Sequence, residues 1–141
     1  MNRSRMRIEL KCMEKIVIDT SALFEYFFAT EKGAIVQKFV DDSNAAILIP
    51  VLVLGEFTSK LSRRGIDSTK LVTFLESIST FIELDATCAV KAGLKHAGLR
   101  KVEPDVSLTD CIVIQVAEDH GNALILTTDS AFKHYKNVEL L

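Results

Sequence analysis

Five short apolar runs, Lys15–Asp19, Ala45–Ile49, Thr80–Glu83, Ala123–Thr127 and Val138–Leu140, limit what this chain can fold into more than any other feature. They are continuous in apolar character rather than alternating, which is the pattern of parallel strands covered on both faces. Segments with helical spacing separate them. Ser21–Phe28 and Lys32–Asp42 follow the first run, and Val51–Arg64 and Asp67–Ser77 follow the second. Ala86–Gly98 and Cys111–Ala117 precede the fourth. Local signals agree with these helices. Pro50 suits a helix start, Asp67 and Asp85 suit N-caps, Ser107-Leu108-Thr109-Asp110 fits a capping box, and Gly121 can end the helix that follows. Strands alternating with helices predict an α/β fold around a parallel sheet.

A chain of 141 residues, 48% hydrophobic, suits one domain with one core. That domain is expected to span residues 13–141. Residues 1–12, MNRSRMRIELKC, are mixed and basic, and are expected to form a poorly ordered extension. Met6 and Met13 offer alternative starts, and the competing reading of the segment is a basic arm that touches nucleic acid. The formal net charge of −2 gives no global sign of nucleic-acid binding, although a local basic patch would suffice. Three cysteines are too few and too scattered for a disulfide framework or a zinc site. Cys88 and Cys111, in apolar surroundings, are expected to be buried free thiols in a reducing compartment. No apolar run approaches membrane-spanning length. The segment Ile16–Ala29 carries Asp19 and Glu25, which makes a poor signal-peptide core. The expected location is therefore cytoplasmic, with no membrane partner.

Four acids stand at the ends of apolar stretches. Asp19 closes Ile16-Val17-Ile18, Glu56 follows Pro50 to Gly55, Asp110 opens Cys111 to Ala117, and Asp129 follows Ala123 to Thr128. Ligands of open parallel sheets bind outside the carboxyl ends of the strands, where Asp19 and Asp129 would both project. Asp110, in the first turn of its helix, can point to the same edge. Gathered carboxylates repel, and a hard divalent cation relieves them. All-oxygen ligands select Mg²⁺ or Mn²⁺ over zinc, and such ions orient and acidify a water for in-line attack on a phosphodiester. Each acid also has an ordinary structural reading. Asp19 could cap the Ser21 helix, Asp110 could complement a helix dipole, Asp129 could cap a turn through Phe132, and Glu56 could face solvent.

The segment Ile16-Val17-Ile18-Asp19-Thr20-Ser21-Ala22-Leu23 resembles the opening motif of PIN-domain nucleases. The resemblance extends through Gly55-Glu56, Leu108-Thr109-Asp110-Cys111-Ile112 and Leu126-Thr127-Thr128-Asp129-Ser130-Ala131-Phe132, in order, from about Lys15 to Leu141. It implies a three-layer α/β/α sandwich with a parallel sheet of about five strands. It also implies an Mg²⁺- or Mn²⁺-dependent ribonuclease whose metal and catalytic residues are Asp19, Glu56, Asp110 and Asp129, supported by Ser21 and Thr127. The compact size is similar to VapC-type toxins, which implies RNA as substrate, a paired antitoxin protein and a homodimer. Residues 63–98 match no motif of the family, and such a region usually shapes substrate and partner choice.

Two basic groups are candidate phosphate contacts: Lys60, Arg63 and Arg64, and further on Lys91, Lys95, His96, Arg100 and Lys101. The ordinary reading of each is a solvated helix face. His96 and His120 lack metal-ligand spacing and are expected at the surface, and His134 has no expected catalytic role. Phe24, Tyr26, Phe27 and Phe28 are expected to serve core packing, with any exposed subset forming a dimer or antitoxin surface. Two rival functions remain. A haloacid-dehalogenase-type phosphatase needs a second acid two positions after the first, where this chain has Ser21. A non-catalytic PIN-like RNA- or protein-binding module usually lacks one or more of the four acids.

Overall fold

The computed structural model describes residues 13–141, so the extension expected at 1–12 lies outside the described residues. Strands β1 (Glu14–Ile18), β2 (Ala45–Pro50), β3 (Thr80–Ile82), β4 (Leu124–Thr127) and β5 (Val138–Leu140) form a parallel sheet in the order β3-β2-β1-β4-β5. The connecting helices are α1 (Thr20–Phe27), α2 (Glu31–Val40), α3 (Val51–Arg63), α4 (Thr69–Ile78), α5 (Ala86–Leu99) and α6 (Leu108–Asp119), with a 3₁₀ turn at Ser130–His134. This is the expected α/β sandwich.

Central β1 explains the continuous apolar character of the first run. Ile16 pairs with Ile47 of β2 on one side and Leu124 of β4 on the other, and Ile16, Val17 and Ile18 are all buried. With helices over both faces, successive side chains on opposite sides of the strand both meet apolar surface. Burying such a side chain contributes about 1.5–3 kcal/mol. Right-handed crossovers place helices on opposite faces when the direction of strand addition reverses. The packing follows this: α1 rests on α2 and α3, while α5 rests on α6 and α6 on the 3₁₀ turn. Helix α6 is buried from Cys111 to Ala117, wedged beneath the sheet.

Strand addition runs from β1 outward to β2 and β3, then returns to β4 and β5 on the other side of β1. The exits of β1 and β4 therefore lie side by side, at the switch point where ligand crevices form.

Helix ends follow the sequence closely. Asp85 Oδ1 accepts from Cys88 N at 2.8 Å, the Ser107–Asp110 capping box closes in both directions, and Gly121 takes φ +72° just past α6. Asp67 departs from expectation. Ser68 holds the N-cap position without a side-chain bond, and Asp67 Oδ1 instead accepts from Thr69 N and Thr69 Oγ1 at 2.9 and 2.7 Å. The short aspartate turn competes with the cap and begins the helix later. Strand β1 ends at Ile18, so Asp19 leaves the sheet and starts α1. Cys88 and Cys111 are buried free thiols, as expected.

Candidate active site

Asp19 sits at the switch point, 7% exposed, with its backbone N–H donating to Leu126 O at 3.0 Å. It holds the N-cap position of α1 but makes no side-chain capping bond. Its carboxylate turns instead toward the exit of β4. Oδ2 accepts from Ser21 Oγ at 3.0 Å and from Thr127 Oγ1 at 2.9 Å. The two hydroxyls are 3.1 Å apart, and each is met by a backbone N–H: Thr128 N donates to Ser21 Oγ and Asp129 N to Thr127 Oγ1, both at 3.0 Å. An ionised carboxylate can only accept, so each hydroxyl sends its own proton to Asp19. Among the described residues, both hydroxyls that bond Asp19 meet Oδ2 and none meets Oδ1.

The other acids arrive from separate elements. Glu56, half-buried, lies on α3 beside the stripe Val53, Phe57 and Leu61 that packs into the core. Asp110, also half-buried, uses Oδ2 to accept from Ser107 N at 2.8 Å, which fixes its carboxylate at the start of α6. Asp129 is exposed and caps the 3₁₀ turn, Oδ1 accepting from Ala131 N at 2.9 Å.

Asp19, Glu56 and Asp110 each feel the charge of a neighbouring acid. Burial pushes the Asp19 carboxyl above its ordinary 3.8, the hydroxyls of Thr127 and Ser21 pull it back, and the charge of Asp110 raises it further. Glu56 is likewise raised by burial and then by Asp19, against the pull of Lys60. Asp110 is raised by burial, against its Ser107 bonds, and then by Asp129. Among the described residues, none of the four forms an ion pair.

Whether these residues fit a divalent cation can be tested on the site itself. The side chains are all oxygen donors, and their mutual repulsion favours a hard positive charge. Among the described residues, buried Thr20 Oγ1 has no partner at full hydrogen-bonding geometry, although it stands near enough to Glu56 to pull that carboxyl down. Among the described residues, no three His, Cys, Asp or Glu side chains stand close enough to enclose an ion as they are placed. Mg²⁺ does not require such a cage, since it usually binds through one or two carboxylates and retains several waters. The donor chemistry, though not an enclosing cage, is of the kind a hard divalent cation takes.

The basic candidates divide. Lys60, Arg63 and Arg64 line a cleft with Ser21, Phe24 and Thr128, next to Asp19. The second group is largely committed elsewhere: Lys95 pairs with Glu118 at 3.0 Å and Lys91 with Asp119 at 3.9 Å, tying α5 to α6. His96 and His120, expected at the surface, are half-buried and anchored to Val106 O and Val116 O at 3.2 and 2.7 Å. Helix packing draws in rings that spacing alone left outside. His134 faces Glu103 rather than any of the four acids. Lys60, expected as a phosphate contact, also lies one helical turn after Glu56, a spacing that brings side chains together.

A model of the PIN domain matches residues 16–138. No curated protein matches the chain. Among solved structures, VapBC2 from Rickettsia felis bound to a DNA fragment from the promoter is similar, with TM-score 0.69 and 20% identity over 89% of this chain and 97% of the other. Mycobacterium tuberculosis VapC20, described as a sarcin-ricin loop cleaving toxin, gives TM-score 0.70 and 18% identity over 88% and 97%. A DNA-bound VapBC from Salmonella typhimurium gives 0.67 and 18% over 90% and 98%. The matched order of elements, the switch-point acids and the family model over most of the length lead to one assignment: the chain belongs to the PIN domain family.

Proposed function

We propose that this protein is an Mg²⁺- or Mn²⁺-dependent ribonuclease that acts as the toxin of a toxin–antitoxin pair. The observation that carries the reading is a set of four acids from four elements about the switch point, with Asp19, Glu56 and Asp110 raised by burial and by neighbouring carboxylates and none of the four in an ion pair with a described cation. In this reading Asp19, Glu56, Asp110 and Asp129 hold the ion or its water shell. Once bound, the ion supplies a polarised water and neutralises charge on the phosphate. Ser21 and Thr127 keep Asp19 oriented, since both hydroxyl protons end on the same oxygen. Asp110 is fixed by its capping box. Lys60, Arg63 and Arg64 hold the phosphate backbone of the RNA beside the acids.

The toxin role is supported by likeness to VapC-containing structures of nearly the same length. An antitoxin partner is supported by an apolar cleft of ≈ 200 Å³ among α1, α3 and α4, where Leu23, Phe27, Phe57 and Leu71 line a trough rimmed by the exposed Phe74. Val90 and Leu94, exposed one turn apart on α5, suit a homodimer surface. No described helix is long and apolar enough to cross a membrane, which is compatible with action in the cytoplasm.

The test is cleavage of RNA by the purified chain with Mg²⁺ or Mn²⁺. EDTA should abolish it, and so should Asp19→Asn or Asp110→Asn. Undiminished cleavage by a folded double variant would sink the proposal. Calorimetry with Mn²⁺ separates the enzyme from a non-catalytic PIN-like module, which would bind no metal at millimolar concentration.

A further inference from the structure

The three cations at the end of α3 are not equivalent. A cleft of ≈ 460 Å³ runs from Ser21 and Thr128 out to Lys60, Arg63 and Arg64. Lys60 and Arg63 also line a smaller cleft with Glu56, and Lys60 opposes the crowding of negative charge at that acid. Of these two clefts, Arg64 lines only the first. Its guanidinium lies 5.2 Å from the ring centre of Phe24 and 5.3 Å from that of Phe28. Those two rings are stacked, 5.8 Å apart and 16° from parallel.

A guanidinium held over rings by cation–π attraction is placed without using its hydrogen bonds, so its N–H groups remain free. Arg64 forms no ion pair with a described carboxylate. Glu25, the acid lining the same cleft, is bonded by the Thr30 hydroxyl at the start of α2. Lys60 Nζ also stands over Phe24, at 5.6 Å. Phe24 therefore orients cations and is not an open platform for bases. A planar fork, held still and left unpaired beside an acidic site, matches a phosphate with two oxygens to offer.

We propose that Arg64, set in place by Phe24 and Phe28, grips a backbone phosphate of the RNA next to the scissile one and so sets which phosphodiester reaches the acids. The inference rests on the ribonuclease reading. It assigns a contact to the backbone and not to a base edge, so this position carries no sequence preference.

Binding of a short labelled oligouridine to the full chain in EDTA, followed over about 50 to 300 mM salt, measures the grip without cleavage. Arg64→Ala should weaken binding about three- to tenfold at low salt and reduce the slope of log affinity against log salt by ~0.7, the value for one phosphate on a single strand. Arg64→Lys should keep the slope but lose about half or more of the affinity, because an ammonium cannot form the fork. Phe28→Leu, at an exposed ring, should weaken binding with the slope retained. Lys136→Ala, an exposed charge ahead of β5 at the opposite edge of the sheet, should change neither. With Mn²⁺ on a defined RNA, Arg64→Ala should raise KM, keep kcat within a fewfold, and spread the cut over adjacent positions. An unchanged slope in Arg64→Ala, or an Arg64→Lys variant that binds and cuts as the wild type does, overturns the proposal. If Arg64→Ala reduces the slope of RNA binding as expected but the wild type cuts no RNA in either metal, the ribonuclease reading falls separately.

Discussion

The α5–α6 flank and the carboxyl edge of the sheet carry similar charges in opposite arrangements. On the flank, bases answer acids: Lys91 with Asp119, Lys95 with Glu118, and nearby Lys133 and His134 with Glu103. At the edge, acids face acids and the nearby cations Lys60 and Arg64 rest on aromatic rings. The flank is at rest without any ligand. The edge carries a charge imbalance that partial burial makes costly, the mark of a candidate binding site. Charge segregation, and not the number of charges, distinguishes the two regions.

The largest effect that could break this contrast lies in cleavage. Asp19→Asn and Asp110→Asn should each lower kcat for RNA about a hundred- to thousandfold, the loss typical of removing one electrostatic element of a site. Asp129→Asn should cost about tenfold, because Asp129 is exposed and already shares its carboxylate with the Ala131 N–H. Rates measured on folded variants decide the matter. A loss at Asp129 equal to that at Asp19 would show that exposure does not grade the four acids.

The next effect is thermal. Mn²⁺ at about a hundred times its Kd should stabilise the wild type by roughly 2.7 kcal/mol, or about 5–10 °C in Tm. Asp19→Asn should lose most of that shift. If the metal raises Tm equally in both, the ion binds away from the switch point.

How much of this was legible beforehand differs between fold and site. The unbroken runs around Ile16, Ile47 and Ile125 announced buried parallel strands, because only strands covered on both faces exclude polar residues from both sides. Gly121 and the Ser107–Asp110 box marked helix ends through local chemistry. Asp19 and Asp129 could be placed at one edge by strand polarity alone. What could not be read was where each carboxylate turns. Asp19 and Asp129 both occupy N-cap positions, yet only Asp129 caps, since Ser21 and Thr127 compete for Asp19. Thr127 lies 108 residues from Asp19, a contact that exists only after β1 and β4 pair. The pairing of Lys91 and Lys95 with α6 is tertiary in the same sense.

A pH series sharpens the contrast through stability. Asp19 titrates higher when folded than its ordinary 3.8, chiefly because it is buried. Below 3.8 both folded and unfolded chains hold the proton. Between 3.8 and the raised folded value the native state holds more protons, so stability falls as pH rises through that window. The deficit persists at neutral pH. Asp19→Asn, which cannot ionise, should therefore melt higher than the metal-free wild type at pH 7, by about 2–4 °C for each kcal/mol relieved, with the advantage vanishing toward pH 3. An Asn variant less stable than wild type at pH 7 would mean that the hydroxyl bonds outweigh burial.

The smallest expected effect belongs to the flank. Lys95 and Glu118 are partly exposed, with side-chain accessibilities of 23% and 35%, so solvent screens much of their 3.0 Å attraction. Such a pair contributes about 0.2–1 kcal/mol. Lys95→Met keeps the aliphatic packing between α5 and α6 and should lower Tm by no more than about 2–4 °C. A double-mutant cycle with Glu118→Gln isolates the pair from its surroundings. Because Lys95 is already matched by Glu118, its loss should leave both RNA cleavage and the salt slope of RNA binding unchanged. A reduced slope would mean that Lys95 leaves Glu118 for a phosphate, and the flank would then join the acidic edge as part of one RNA path.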